Sequence, residues 1–294
     1  MHILITDSGV GGLSVCAYAE RYLRTKGSEV PVRLTYVNAA PENDFGYNAM
    51  GSRKEKLENF DRFLRIVTER YAPDSIYIAC NTLSVLLQDT PYFEKPAVPV
   101  RGIVETGVDL LLGDLSRDPE RVALIFGTVT TIEAQTYPRM LKERGVEERR
   151  IISQACPGLA DTISEDRRGL RASSEIRKWV GAATERMESS DAACLAYLAC
   201  THYGYRKELF SAAFEDAGVE VEVLNPNEHA IDDLFESPGN NRSDHETESD
   251  IEVEFVTRYR IPETALEALT WFLGDISPRT VRALTNFTHV PDLF

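Results

Sequence analysis

The segment Tyr77-Ile78-Ala79-Cys80 returns later in the chain as Tyr197-Leu198-Ala199-Cys200, each time followed by short polar side chains, Asn81-Thr82 and Thr201-His202. Both are apolar runs of strand length that end in a cysteine. The repeat extends upstream. Asp7 opens the glycine turn Asp7-Ser8-Gly9-Val10-Gly11-Gly12 and precedes Cys80 by the same number of residues as Gly127 precedes Cys200. A chain that delivers a polar turn and a strand-end cysteine twice at one spacing is expected to fold as two similar halves. Its 294 residues also suit two domains, at roughly 150 residues each.

The pattern between these points is that of an α/β protein. His2–Thr6 is an apolar run that breaks at the glycine turn and resumes at helical spacing from Leu13 to Glu20, which reads as strand, turn, helix. Further strands are expected at Val32–Val37, Ser75–Ala79, Val98–Gly102, Val122–Phe126, Arg150–Ser153, Cys194–Ala199 and Val219–Leu224, with amphipathic helices such as Arg53–Tyr71 between most of them. The runs are apolar without strict alternation, as buried parallel strands are. Ser237–Asp250 is polar and aperiodic and reads as an exposed loop. Ile251–Tyr259 alternates like a strand, and Pro262–Leu273 reads as a helix with proline in its first turn.

Charge and cysteine usage exclude several classes. Asp plus Glu number 47 against 32 Lys plus Arg, a net charge of −15 that repels a phosphate backbone and an anionic membrane surface, so neither nucleic acid nor membrane is an expected partner. A small anionic substrate is still compatible, because aimed amide dipoles outweigh a distant, screened charge. No apolar run approaches the ~20 residues of a membrane span, and no signal-type N-terminus is present, so the expected location is the cytoplasm. The five cysteines include no CxxC pair and no zinc-finger spacing, so free thiols are expected rather than disulfides or a structural metal. The glycine turn has neither GxGxxG nor GK[ST] spacing, which leaves no nucleotide fingerprint.

The two strand-end thiols can act as a pair. Inversion at a carbon centre requires a base that removes a proton on one face and an acid that returns one on the other. Cysteine serves in both forms, with a pKa of about 8.5 that hydrogen-bond donors or a helix N-terminus can lower. A buried cysteine taken alone is ordinary packing, and Cys16 and Cys194 are expected in the core, with Cys156 structural. The matched context sets Cys80 and Cys200 apart. Asp7 and Ser8 suit helix capping, and also suit an orienting group for Cys80 and a carboxylate ligand. Asn81, Thr82 and Thr201 offer further donors, and His202 can polarise Cys200 or share its proton.

With these residues in view, the chain resembles the glutamate racemase family, cofactor-independent members of the aspartate/glutamate racemase superfamily. Asp7-Ser8-Gly9-Val10-Gly11-Gly12-Leu13 matches the family's first turn, Ala79-Cys80-Asn81-Thr82 its first cysteine motif and Cys200-Thr201-His202-Tyr203 its second. Gly102-Ile103-Val104-Glu105-Thr106-Gly107 resembles its E-P-G segment, Gly127–Ile132 its GTxxT turn, Ala155-Cys156-Pro157 its ACP and Asn225-Pro226 its later D-P.

The resemblance implies two similar α/β domains, each a mostly parallel sheet flanked by helices, related by pseudo-symmetry with the active site in the cleft between them. Residues 1–98 and 206–294 would form the first and 99–205 the second. It implies Cys80 and Cys200 as catalytic acid/bases, Asp7 and His202 as their assisting groups, and Ser8, Phe45, Gly46, Asn81, Thr82, Thr131 and Thr201 as substrate ligands. It further implies no pyridoxal phosphate or metal, and a role in supplying D-glutamate to peptidoglycan. Oligomeric state is left open, a homodimer among the options. The departures lie in the loop Asn38–Gly46, which lacks the family's Arg and has Phe45 in place of its Tyr, and at Gly204, where Pro is usual. The altered loop leaves another amino acid such as aspartate open as substrate, and a thiol redox or amino-acid-binding protein is the alternative from a different class.

Overall fold

The computed structural model describes residues 1–42, 46–188, 192–235 and 250–294. Most of the expected loop Ser237–Asp250, and Phe45, therefore lie outside the described residues. The strands among the described residues are β1 (His2–Asp7), β2 (Val32–Asn38), β3 (Ser75–Ile78), β4 (Val100–Gly102), β5 (Val122–Gly127), β6 (Ile151–Ala155), β7 (Cys194–Ala199), β8 (Val221–Leu224), β9 (Ile251–Thr257) and β10 (Thr288–His289). They form two sheets in which every pairing is parallel, in the orders β10-β9-β2-β1-β3-β4 and β6-β5-β7-β8. Helices connect them, so the α/β reading holds.

The chain divides into two compact units, Met1–Ile103 with Asn227–Phe294, and Val104–Pro226. The boundaries expected at 98/99 and 205/206 are corrected by the ladders. A cut at 98/99 would separate β4 from β3, to which it is bonded at Ile76↔Val100, and a cut at 205/206 would separate β8 from β7, bonded at Ala196↔Val223. Each unit carries the same strand order, β2-β1-β3-β4 in one and β6-β5-β7-β8 in the other, with β9 and β10 added beyond β2.

Local chemistry explains the elements. The inner strands are buried almost throughout, all of β7 and all but the first residue of β1 and β5, which is why their sequences run apolar without alternation. The helix Arg53–Tyr71 starts where Ser52 accepts a hydrogen bond from the Glu55 amide and ends at Ala72 in the left-handed region, φ 41°. Its buried stripe is Phe60, Phe63, Leu64 and Val67, spacings of three and four. Pro262 is the residue before the helix Glu263–Leu273 rather than part of its first turn. In the second unit, Phe126 on β5 meets Phe210 and Phe214 at ring separations of 5.4 and 6.0 Å, joining sheet to helix Lys207–Asp216. Among the described residues no helix is long and apolar enough to cross a membrane.

Candidate active site

In an open parallel sheet, ligands bind beyond the carboxyl ends of the strands where the connections change direction. In the first unit that point lies between β1 and β3, because the chain leaves β1 for β2 on one side and reaches β3 on the other. Thr6 is in register with Ile78, so the residues that leave the edge there are Asp7 and Ser8 from β1, and Ala79 and Cys80 from β3. In the second unit the same point lies between β5 and β7, with Gly127 in register with Ala199 and Cys200 next. The equal spacing in the sequence is this shared register.

Cys80 is 5% exposed and stands at the start of the helix Asn81–Leu87. Its sulfur lies 3.1 Å from the Ser8 hydroxyl. Burial pushes the thiol up to about 12, helped by the Asp7 carboxylate, while the Ser8 hydroxyl and the Leu83 and Ser8 amides pull the other way. Cys80 therefore rests as a thiol, a proton donor. Asp7 is 1% exposed, and Gly12 fits against it only because glycine has no Cβ: one built there would stand 2.8 Å from the Asp7 Cβ and Oδ2. The Tyr36 hydroxyl donates to the Gly9 carbonyl at 2.8 Å and pins the same turn. Asn81 and Thr82 follow the thiol directly and are buried. A Cβ at Gly46 would be 3.8 Å from the Ser8 carbonyl, so Gly46 lies beside the turn. The first unit thus brings together Asp7, Ser8, Gly46, Cys80, Asn81 and Thr82.

Tyr47 carries no motif signal in the sequence, yet it is buried in the same region. Its pKa is raised by burial first and by the neighbouring Cys80 second. Only its position directly after Gly46 marks it in the sequence.

In the second unit Cys200 is 6% exposed, and His202 Nδ1 lies 3.9 Å from its sulfur. Thr201 is buried beside it, and Thr131 reaches the same edge from the turn after β5, where Thr128 accepts its amide at 3.3 Å and meets its hydroxyl at 3.0 Å. The second unit thus gathers Thr131, Cys200, Thr201 and His202. Gly204 has a packing reason for departing from proline, since a Cβ there would fall 2.6 Å from Asn225 Oδ1. Cys16, Cys156 and Cys194 are buried, and all five thiols are free.

Desolvation lowers the His202 imidazole from 6.5 to about 4. Between those values the unfolded chain binds a proton that the folded chain does not, so stability is present above pH 6.5 and is lost as pH falls toward 4. The loss is on the order of 3 kcal/mol. Urea melts from pH 7 to pH 4 are expected to show this decline, and His202→Asn to flatten it. An unchanged decline in the variant contradicts the assignment.

The comparisons accord with this layout. No protein-family model matches the chain. A glutamate racemase of Jannaschia sp. is 31% identical over 238 residues, covering 75% of this chain and 79% of that protein. The glutamate racemase of Aquifex pyrophilus is 27% identical over 229 residues, 78% of this chain and 80% of its own. Among solved structures, glutamate racemase from Francisella tularensis in complex with D-glutamate superposes with a TM-score of 0.72 at 20% identity, covering 99% of this chain and 98% of that one, a likeness of fold. With the identity and coverage of the Jannaschia relative, the chain belongs to the glutamate racemase family and is an isomerase of the amino-acid racemase class.

Proposed function

We propose that this chain interconverts L- and D-glutamate without a cofactor, Cys80 and Cys200 serving opposite faces of the substrate Cα. The observation that carries the reading is the repetition itself: each sheet delivers one buried thiol at its switch point, surrounded by hydroxyl and amide groups. The relatives' names supply glutamate as the substrate. In one direction a thiolate at Cys200 takes the Cα proton, the carbon flattens to a carbanion delocalised into the carboxylate, and the Cys80 thiol delivers its own proton to the other face. The product is the enantiomer, with Cys80 left as thiolate and Cys200 as thiol. The reverse reaction exchanges these roles.

The resting state of Cys80 suits the acid half of this cycle. Its return as base is helped by the substrate ammonium, a positive charge that favours thiolate. His202, neutral at rest, faces the Cys200 sulfur with Nδ1 at 3.9 Å, where it can orient that thiol through a hydrogen bond. In this reading Ser8, Phe45, Gly46, Asn81 and Thr82, and from the second unit Thr131 and Thr201, bind the amino acid. A redox role fits less well, because reactive redox cysteines have lowered pKa values and Cys80 is pushed up. The D-glutamate made would supply cytoplasmic steps of peptidoglycan synthesis.

Incubation with L- or D-glutamate in deuterium oxide tests the reading. Deuterium is expected at Cα together with optical inversion, from either enantiomer. Turnover of aspartate with none of glutamate would replace the substrate, and no Cα exchange on either would defeat the racemase assignment.

A further inference from the structure

Directly after Gly46 stands a polar group that the described residues leave unused. Tyr47 is 1% exposed, and its hydroxyl, shut off from solvent, meets no hydrogen-bond partner among the described residues. Buried tyrosine hydroxyls ordinarily find one. The ring is packed edge-on against Phe60, 6.1 Å between centroids, and Phe60 is itself fully buried on the helix Arg53–Tyr71. The hydroxyl therefore cannot turn out to water without breaking that packing. Its location is set by the chain before it: Gly46 lies beside the Ser8 carbonyl, and the Ser8 hydroxyl touches the Cys80 sulfur.

The state of the phenol follows from its surroundings. Burial and the nearby Cys80 both disfavour phenolate, so the group is neutral and offers one O–H donor. The charge already fixed at this edge is the Asp7 carboxylate, which suits an ammonium group. A lone neutral donor suits the other charged group of an amino acid, a carboxylate, and a bond to an anion is the stronger kind of hydrogen bond.

We propose that Tyr47 is a substrate-binding residue, its hydroxyl donating to a carboxylate oxygen of the amino acid held at Cys80. This rests on the racemase reading of the site. The hydroxyl meets no partner among the described residues because its acceptor arrives with the substrate.

Kinetics of Tyr47→Phe against the wild type test it, with L- and D-glutamate and L- and D-aspartate as substrates. Phenylalanine keeps the ring packing and removes only the hydroxyl. KM is expected to rise about 10- to 100-fold with little change in kcat, the equivalent of one lost hydrogen bond to a charged group. The melting temperature is expected to stay level or rise, since an unpaired buried hydroxyl has been removed. An unchanged KM overturns the proposal, whether or not stability changes. A fall in kcat at constant KM also overturns it, by placing the hydroxyl on the thiol rather than on the substrate. A wild type that racemises none of the four compounds defeats the racemase reading itself, and this proposal with it.

Discussion

Cys80→Ala abolishes inversion while the protein stays folded: this is the expected result with the largest effect on activity. A positioned acid or base contributes roughly 10²- to 10⁴-fold, and here the same group must act once in each direction. Alanine has no proton to give or accept, so the face Cys80 serves becomes inert. Exchange persists for one enantiomer, because Cys200 can still remove its proton and return a deuteron to the same face. Cys200→Ala is expected to show the mirror pattern, exchange confined to the other enantiomer. Proton NMR in deuterium oxide reads the exchange and polarimetry the inversion. The truncation removes one atom from a site that is 5% exposed, at a stability cost on the order of 1 kcal/mol. Inversion near the wild-type rate in either variant would sink the two-thiol mechanism.

The largest expected effect on stability comes from Gly107→Ala. Gly107 lies in the helix Ile103–Leu115, and a Cβ there would fall 1.8 Å from the Tyr197 hydroxyl and 2.4 Å from its Cζ. Tyr197 has nowhere to go. It is fully buried in β7, between β5 and β8, and its hydroxyl is held by that of Tyr137 at 3.0 Å. Overpacking of this kind costs about 1–3 kcal/mol where the neighbours can give, and the fixed tyrosine pair places this site at or above the upper end, about 3 kcal/mol. Chemical denaturation is the measurement. Adding Tyr197→Phe should recover only part of the loss, since the ring carbon still clashes. A loss below about 1 kcal/mol would show that the helix shifts freely over the sheet.

Both predictions begin at residues that are visible in the sequence for different reasons. Cys80 and Cys200 stand out by repetition, and the sheets give that repetition a meaning, one register shared by β1/β3 and β5/β7. The helix Arg53–Tyr71 is legible to the residue because its apolar spacing and its serine cap are local signals. Gly107 is legible only as part of a motif, since its neighbour Tyr197 is remote in the chain. Tyr47 is marked only by its place after Gly46, because one tyrosine has no period and no repeat. The unit boundaries were misplaced for a related reason. β4 and β8 are short, and which sheet each joins is settled by ladder bonds to β3 and β7.

From the sequence alone come most of the strands, helices such as Arg53–Tyr71, the two glycine and threonine turns, the pair of strand-end thiols and the family resemblance, all of which reside in local spacing and side-chain type. The tertiary structure alone decided the order of strands, and with it which turns stand beside each thiol. It also decided that Cys80 rests protonated, that His202 rests neutral and that the Tyr47 hydroxyl is buried without a hydrogen-bond partner among the described residues. These are effects of desolvation and close packing by residues far away in the chain, and no pattern of neighbours in a sequence encodes them.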